Sequence, residues 1–349
     1  MSVPVLLLLT STLLGDTSTA VASALADARQ NPAAVHTRYL TIHTAPPGER
    51  KELRAALGFW PNSLSREALI IPPRIVSGEV MAVNLLDYGW DAKVWDRFAA
   101  TEPYYTVRVV TIWPGGVWPG DGRNYPRGSF SLTTTASAPW LKTTEMAALY
   151  QRTGRKAPIL RADWFLAQVA IQADRKVGYY DLLGLPKKLA EIEKFAGFDR
   201  KLATALKKEQ AAIVDVSTVA LHNRQIYRFG TIPGAWWETR DAKSNDGERN
   251  AVRMLNGDYK HDASEVIWSL PNGLHGFALV DGAGNRVDSA PDFIASDGRA
   301  SGADRRVHSG LSCVRCHVEG IRPIDCWARR AYAAPDKLEV ADPVRFLRL

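Results

Sequence analysis

Cys313-Val314-Arg315-Cys316-His317 is the segment of this 349-residue chain whose residue types and spacing point most directly to chemistry. Cys-x-x-Cys followed at once by His is the spacing of c-type haem attachment. Each thiol can add to one haem vinyl group, so two thioether links hold the porphyrin edge. The adjacent imidazole can then reach the iron as proximal ligand. The expectation is one covalent haem c, with Cys313 and Cys316 as thioether residues and His317 on the iron. Three other chemistries use the same residue types. A thioredoxin-like dithiol wants a βαβ unit, which the sequence does not show. A zinc site could draw on Cys313, Cys316, Cys326 and either His308 or His317, but a second paired knuckle is missing. A disulfide between Cys313 and Cys316 would close a very small loop. Cys326 is left over by the haem reading, and in an oxidising compartment it would be buried or reactive.

Only residues 318–349 follow the motif, and they contain neither Met nor His. The small cytochrome c arrangement, in which a distal Met follows the motif downstream, is therefore not available. A second side-chain ligand of the usual kinds must come from upstream. The candidates are Met254, His261, His275, His308 and His222, with Met146, Met81, His36 and His43 more remote. His261 is the provisional distal ligand, because a loop histidine just before a strand could swing over a haem. A six-coordinate iron would suit one-electron transfer with a redox partner protein. An open iron would suit a peroxidase-like oxidoreductase, with Arg161, Asp163 or Asp262 nearby, or a haem-based sensor or binding module. Asp163 could equally cap a helix and pair with Arg161.

The elements that must position these residues read as a mixture of helices and an antiparallel β-meander, an α+β fold closed by a C-terminal haem-attachment segment. Arg38–Ile42 and Glu79–Asp87 read as strands, and Pro47–Leu57 and Asp91–Ala100 as helices. Residues 160–171 read as helical. Leu185–Ala211 carries Lys, Glu, Leu and Ala at helical spacing and predicts a long helix. Glu265–Leu270, Leu274–Val280 and Asn285–Asp288 read as three strands joined by the turns Pro271-Asn272-Gly273 and Asp281-Gly282-Ala283-Gly284. The expected organisation is a signal peptide over 1–24, an α+β region over 25–110, a Gly/Pro/Ser/Thr-rich connection over 111–160, a helix and meander region over 161–300 and the haem segment over 301–349.

The signal peptide rests on the apolar run Val3–Leu14 and the small residues Ala22-Ser23-Ala24; its n-region carries no Lys or Arg. It places the protein in the periplasm or otherwise outside the cytoplasm. No apolar run is long enough for a transmembrane helix. Apolar residues make up 46% and charged residues 23%, an ordinary globular balance. The formal charge of +7 is spread along the chain rather than gathered in a stripe. That argues against nucleic acid and leaves an acidic redox partner or haem propionates as counterparts.

Further motifs carry a family resemblance: Asn62-Ser63-Leu64-Ser65, Asp87-Tyr88-Gly89-Trp90, Arg161-Ala162-Asp163-Trp164-Phe165 and Tyr180-Asp181-Leu182-Leu183-Gly184-Leu185-Pro186. They continue with Asn223-Arg224, His261-Asp262, Leu270-Pro271-Asn272-Gly273-Leu274 and Gly310-Leu311-Ser312-Cys313. Over roughly residues 38–321 the chain resembles a family of exported bacterial proteins, of planctomycetes and some proteobacteria, with a single C-terminal c-type haem motif. The resemblance implies haem binding at Cys313, Cys316 and His317 and an electron-transfer role without a defined substrate. It also favours His261, since members tend to carry His-Asp at that place, and disfavours His222, where members often have Asn. Members often run on well past the motif, where this chain stops.

Overall fold

The computed structural model describes residues 11–43, 45–100, 106–112, 116–117, 124–125, 131–137, 143–155, 157–171, 177–232, 234–254, 259–300 and 304–332. The chain forms two compact units. The first comprises residues 1–57, 73–87 and 91–166, and the second 58–72, 88–90 and 167–349. The protein is α+β, with helices and antiparallel-rich sheets, and not the small all-helical fold of cytochrome c.

In the first unit, helix α1 (Ser11–Gln30) precedes β1 (Thr37–Thr41), and α2 (Arg50–Ser63) is shared, its residues from Gly58 onward belonging to the second unit. Then come β2 (Arg74–Ile75), β3 (Val80–Asn84) and α3 (Ala92–Ala100). Strands β4 (Thr106–Ile112) and β7 (Ser131–Ser137) pair antiparallel, as do β5 (Gly116–Val117) and β6 (Asn124–Tyr125). The stretch expected as a connection thus contains strands; its Gly/Pro-rich tips at 113–115, 118–123 and 126–130 lie outside the described residues. Helix α4 (Thr144–Thr153), β8 (Ile159–Arg161) and α5 (Ala162–Val169) follow, the first unit ending within α5 at Leu166. The main sheet has the order β2-β3-β1-β8, and Ala20, Val21, Ala24, Leu25 and Ala28 of α1 are buried in its core cluster with Tyr39, Val80, Met146 and Leu149. The expected processing point after Ala24 therefore falls inside one continuous helix, among buried residues. No helix among the described residues is long and apolar enough to cross a membrane.

The second unit is built on a six-stranded antiparallel sheet. Short helices α6 (Tyr179–Leu183), α7 (Leu189–Phe195) and α8 (Arg200–Ala205) lead into β9 (Glu209–Val214), β10 (Arg224–Gly230), β11 (Ala235–Asp241), β12 (Ala263–Ser269), β13 (His275–Asp281) and β14 (Arg286–Val287). Each strand pairs with its neighbour in sequence. Helix α9 (Leu311–Cys316) and α10 (Trp327–Tyr332) close the described chain.

The long helix expected over Leu185–Ala211 is two short helices and the start of a strand. Gly197 takes a left-handed φ of +68° after α7, and Asp199 caps α8 by accepting from Leu202 N at 2.9 Å. A helix cannot run through that reversal. Glu209–Val214 then joins the sheet edge, where Ala211, Ala212 and Ile213 are fully buried. The meander expected over 265–288 is present, and β9 to β11 extend it.

The two faces of this sheet are differently furnished. Trp236 and Trp268 lie opposite each other on one face, with Phe198 stacked on Trp236 at 4.9 Å and Phe195 edge-on to Trp268 at 6.4 Å. Gly276, the partner of Trp268 on β13, has no side chain because a Cβ there would lie 2.3 Å from the indole. The alternate residues, including Ile226, Trp237, Thr239, Glu265 and Ile267, look the other way, toward the Cys-x-x-Cys-His segment.

Candidate functional site

Helix α9 carries the motif. Cys313 and Cys316 are three residues apart and share one helical face. The helix starts at Gly310, whose φ is +89° and whose missing Cβ would sit 2.5 Å from the Ala170 carbonyl and 2.9 Å from the Tyr179 ring. Ser312 closes a small loop with His308: each backbone N–H donates to the other residue, Ser312 N to the His308 carbonyl and His308 N to Ser312 Oγ, both at 3.1 Å. Arg315, between the cysteines, donates to Asp297 at 2.8 Å, and Arg299 donates to the Arg315 carbonyl at 3.1 Å. Asp297 is buried, so this pair ties the exposed side of the turn to the protein interior.

His317 ends the helix, and its Nδ1 lies 3.2 Å from the Gly320 carbonyl. A carbonyl oxygen only accepts, so Nδ1 is the protonated nitrogen. In the neutral ring, Nε2 then carries the lone pair. Fixing one imidazole nitrogen on a carbonyl is how proteins orient a ligating histidine.

Cys316 and His317 line a cavity of about 480 Å³, within the roughly 300–1,000 Å³ usual for cofactor sites. One wall is the sheet, through Ile226, Trp237, Thr239 and Ile267; the others are residues 214–219 and 321–325. Arg322 and Arg330 also reach the lining. Arg224, at its floor, is fully enclosed and pairs with Asp241 at 2.7 Å and Glu265 at 3.5 Å. Cys313 donates its thiol to Glu265 across 3.8 Å. Burial pushes the Cys313 thiol well up, and Glu265 adds to it; burial and Asp297 raise Cys316. Reactive dithiols instead sit in electropositive surroundings that lower the thiol. The pair is therefore poorly matched to thioredoxin-like exchange.

Of the groups a covalent haem would use, Cys316 and His317 line the cavity, with the imidazole Nδ1 held, whereas Cys313 shares a helical face with Cys316 but is buried against Glu265 outside the lining. The walls are mixed: Val, Ile, Trp and Pro side chains stand beside Asp215, Glu265, Asp297 and Asp325, and Arg330 is paired with Asp215 and Asp325. Cys326 is buried at the start of α10, and no disulfide joins the three cysteines. Among the described residues no cluster of three or more His, Cys, Asp or Glu side chains is assembled for a metal ion.

The provisional distal ligand is not brought to this cavity. His261 lines a separate one with Glu238 and Arg240. Those two alternate along β11 with Trp237 and Thr239, so they occupy the opposite face of the sheet. Burial, with Arg240, lowers the His261 pKa. The loop before β12 turns His261 away because Asp262 is held by Arg249 at 2.9 Å and by Lys243 N at 3.0 Å. Met254 is anchored through its carbonyl to Gln225, which faces away from the cavity between Arg224 and Ile226. His308 binds Asp304 through Nε2 at 3.0 Å. Arg161 and Asp163 pair with each other in the first unit, and Asp163 also accepts from Trp164 N. His275 lies on the same face of the sheet as Ile267 and Trp237 but outside the cavity lining, with its ring 5.7 Å from Trp237 and 6.4 Å from Phe277. Burial lowers its pKa, and neighbouring His317 lowers it further.

The sheet wall, Asp297 and Glu265 were not singled out in the sequence. A period-two signal was present in Arg224-x-Ile226, Trp237-x-Thr239 and Glu265-x-Ile267, but charged residues interrupt its apolar half. No family model, curated protein or solved structure matches the chain.

Proposed function

We propose that the protein is an exported c-type haem protein that transfers single electrons, of the kind whose motifs it resembles. The observation that supports this best is the shared placement of Cys316 and His317 on one cavity, with His317 Nδ1 held by Gly320. Bound haem iron would supply the one-electron couple. The chain's own residues divide the remaining work. Cys313 and Cys316 anchor the porphyrin edge, and His317 presents Nε2. Ile226, Trp237 and Ile267 exclude water, which restrains the polarity around the iron. Arg322 would offer positive charge to a propionate, while Arg330 is paired with Asp215 and Asp325. A redox partner protein then completes the circuit.

The test is expression in cells competent for cytochrome c maturation. Haem that survives denaturing electrophoresis and gives a pyridine haemochrome spectrum is the expected result. Cys313→Ala together with Cys316→Ala should abolish the covalent stain. Zinc in place of a Soret band, or no covalent haem in the unaltered protein, overturns the reading.

A further inference from the structure

We infer that the end of α8 and the adjoining β10–β11 turn form a docking surface for an anionic lipid membrane; this stands apart from the haem reading above. Leu202 and Leu206 lie one turn apart on α8 and its C-cap, and both are more than half exposed, at 55% and 56%. Lys207 N donates to the Thr204 carbonyl at 3.0 Å and Lys208 N to the Ala203 carbonyl at 2.9 Å, so the helix ends in the pair of bonds that usually closes around a glycine. Here Lys207 holds that place, with a left-handed φ of +52°, and no other non-glycine residue among the described residues has a positive φ. Glycine takes this conformation at lower cost, and the residue after it commonly makes an apolar contact back onto the helix. The chain places lysines at both positions and leaves the two leucines uncovered.

The ladder brings a third apolar side chain to the same end of the sheet. Phe229 pairs with Glu209, and Gly230 N donates to the Lys208 carbonyl at 3.2 Å, so the β10–β11 turn stands beside the α8 terminus. Thr231 N donates to the Gly234 carbonyl at 2.9 Å and closes the turn. Ile232, inside it, is 92% exposed, more than any other large apolar residue described. Lys201, Lys207 and Lys208 are exposed around these three aliphatic side chains, and among the described residues no carboxylate pairs with them. Arg200, by contrast, is tied to Glu193 and Glu238. The partner must therefore carry negative charge and also remove Leu202, Leu206 and Ile232 from water. An acidic protein face would pair the lysines but set carboxylates against the aliphatic groups. A second copy of this surface would oppose lysine to lysine. Anionic headgroups over an acyl layer meet both demands.

Flotation of the full chain with lipid vesicles tests the proposal. The protein should float with vesicles of phosphatidylcholine and phosphatidylglycerol, stay behind with phosphatidylcholine alone, and bind less as salt is raised. Changing Lys201→Glu, Lys207→Glu and Lys208→Glu together should lower vesicle affinity by roughly 100-fold. Leu206→Asp with Ile232→Asp should lower it by about tenfold or more. Leu221→Asp, which alters a comparably exposed leucine elsewhere, should change nothing. Failure to float with phosphatidylglycerol, retention of binding by the Leu206→Asp, Ile232→Asp protein, or equal loss in Leu221→Asp overturns the proposal. So does capture of polyglutamate in place of vesicles, which would mark an acidic protein as the partner. If the lysine variant fails to fold, Ile232→Trp decides: its added fluorescence should be quenched by brominated phosphatidylglycerol, and an unquenched signal defeats the proposal.

Discussion

Gly310 is a small residue on which the attachment turn depends. Its φ of +89° and the 2.5 Å approach to the Ala170 carbonyl both exclude a side chain. Gly310→Ala should therefore cost roughly 1–3 kcal/mol in backbone strain, with overpacking adding about as much. Denaturant unfolding should show the loss, and the yield of covalent haem should fall with it. The sequence displays Cys313, Cys316 and His317 because their relation is local and chemical. It does not display Gly310 as indispensable, or Asp297 as the anchor of Arg315, because those roles need partners brought in by the fold. His261 misleads for the same reason. Its position beside a strand is readable, but the face it turns to is decided by Arg249 and Lys243 holding Asp262.

Elements were legible where turn chemistry and alternation agreed. Pro271-Asn272-Gly273 marks the β12–β13 hairpin, and Gly273 takes the positive φ of +86° that the turn needs. Strands β10 and β11 were hidden because Arg224, Glu238 and Asp241 are buried as ion pairs, which breaks the apolar alternation that marks a strand. Leu185–Ala211 erred in the opposite direction, since its composition favours helix while Gly197 ends one. Nothing lies within 4 Å of a Cβ built on Gly197, so the cost of a side chain there is conformational alone. Gly197→Ala should destabilise by about 1–2 kcal/mol and Gly197→Asn by less. Chemical denaturation of the three proteins side by side checks the order.

At the scale of the molecule, the unit that carries the Cys-x-x-Cys-His segment is discontinuous, and no linear reading of composition could delimit it. Residues 58–72 and 88–90 belong to it, although the chain between them and residue 167 belongs to the first unit. Their bonds are internal to the second unit: Asn272 donates to the Asn62 carbonyl at 2.8 Å, Tyr88 to Ile71 at 2.6 Å, and Trp90 to Leu64 at 3.2 Å. Arg66 lies over the Phe195 ring at 4.2 Å. A fragment of residues 167–349 should therefore be protease-sensitive and retain little covalent haem compared with the full chain; equal retention would show that the upstream pieces are dispensable. The six-stranded meander has a different kind of consequence. Strand order follows chain order, so every pairing in the wall joins consecutive strands, the longest connection being residues 242–262 between β11 and β12, and the wall can assemble from local contacts. The attachment segment follows every one of those strands in the chain. The Cys-x-x-Cys-His turn is then added to a wall that is already paired, and any group that the turn holds would meet a surface formed before it.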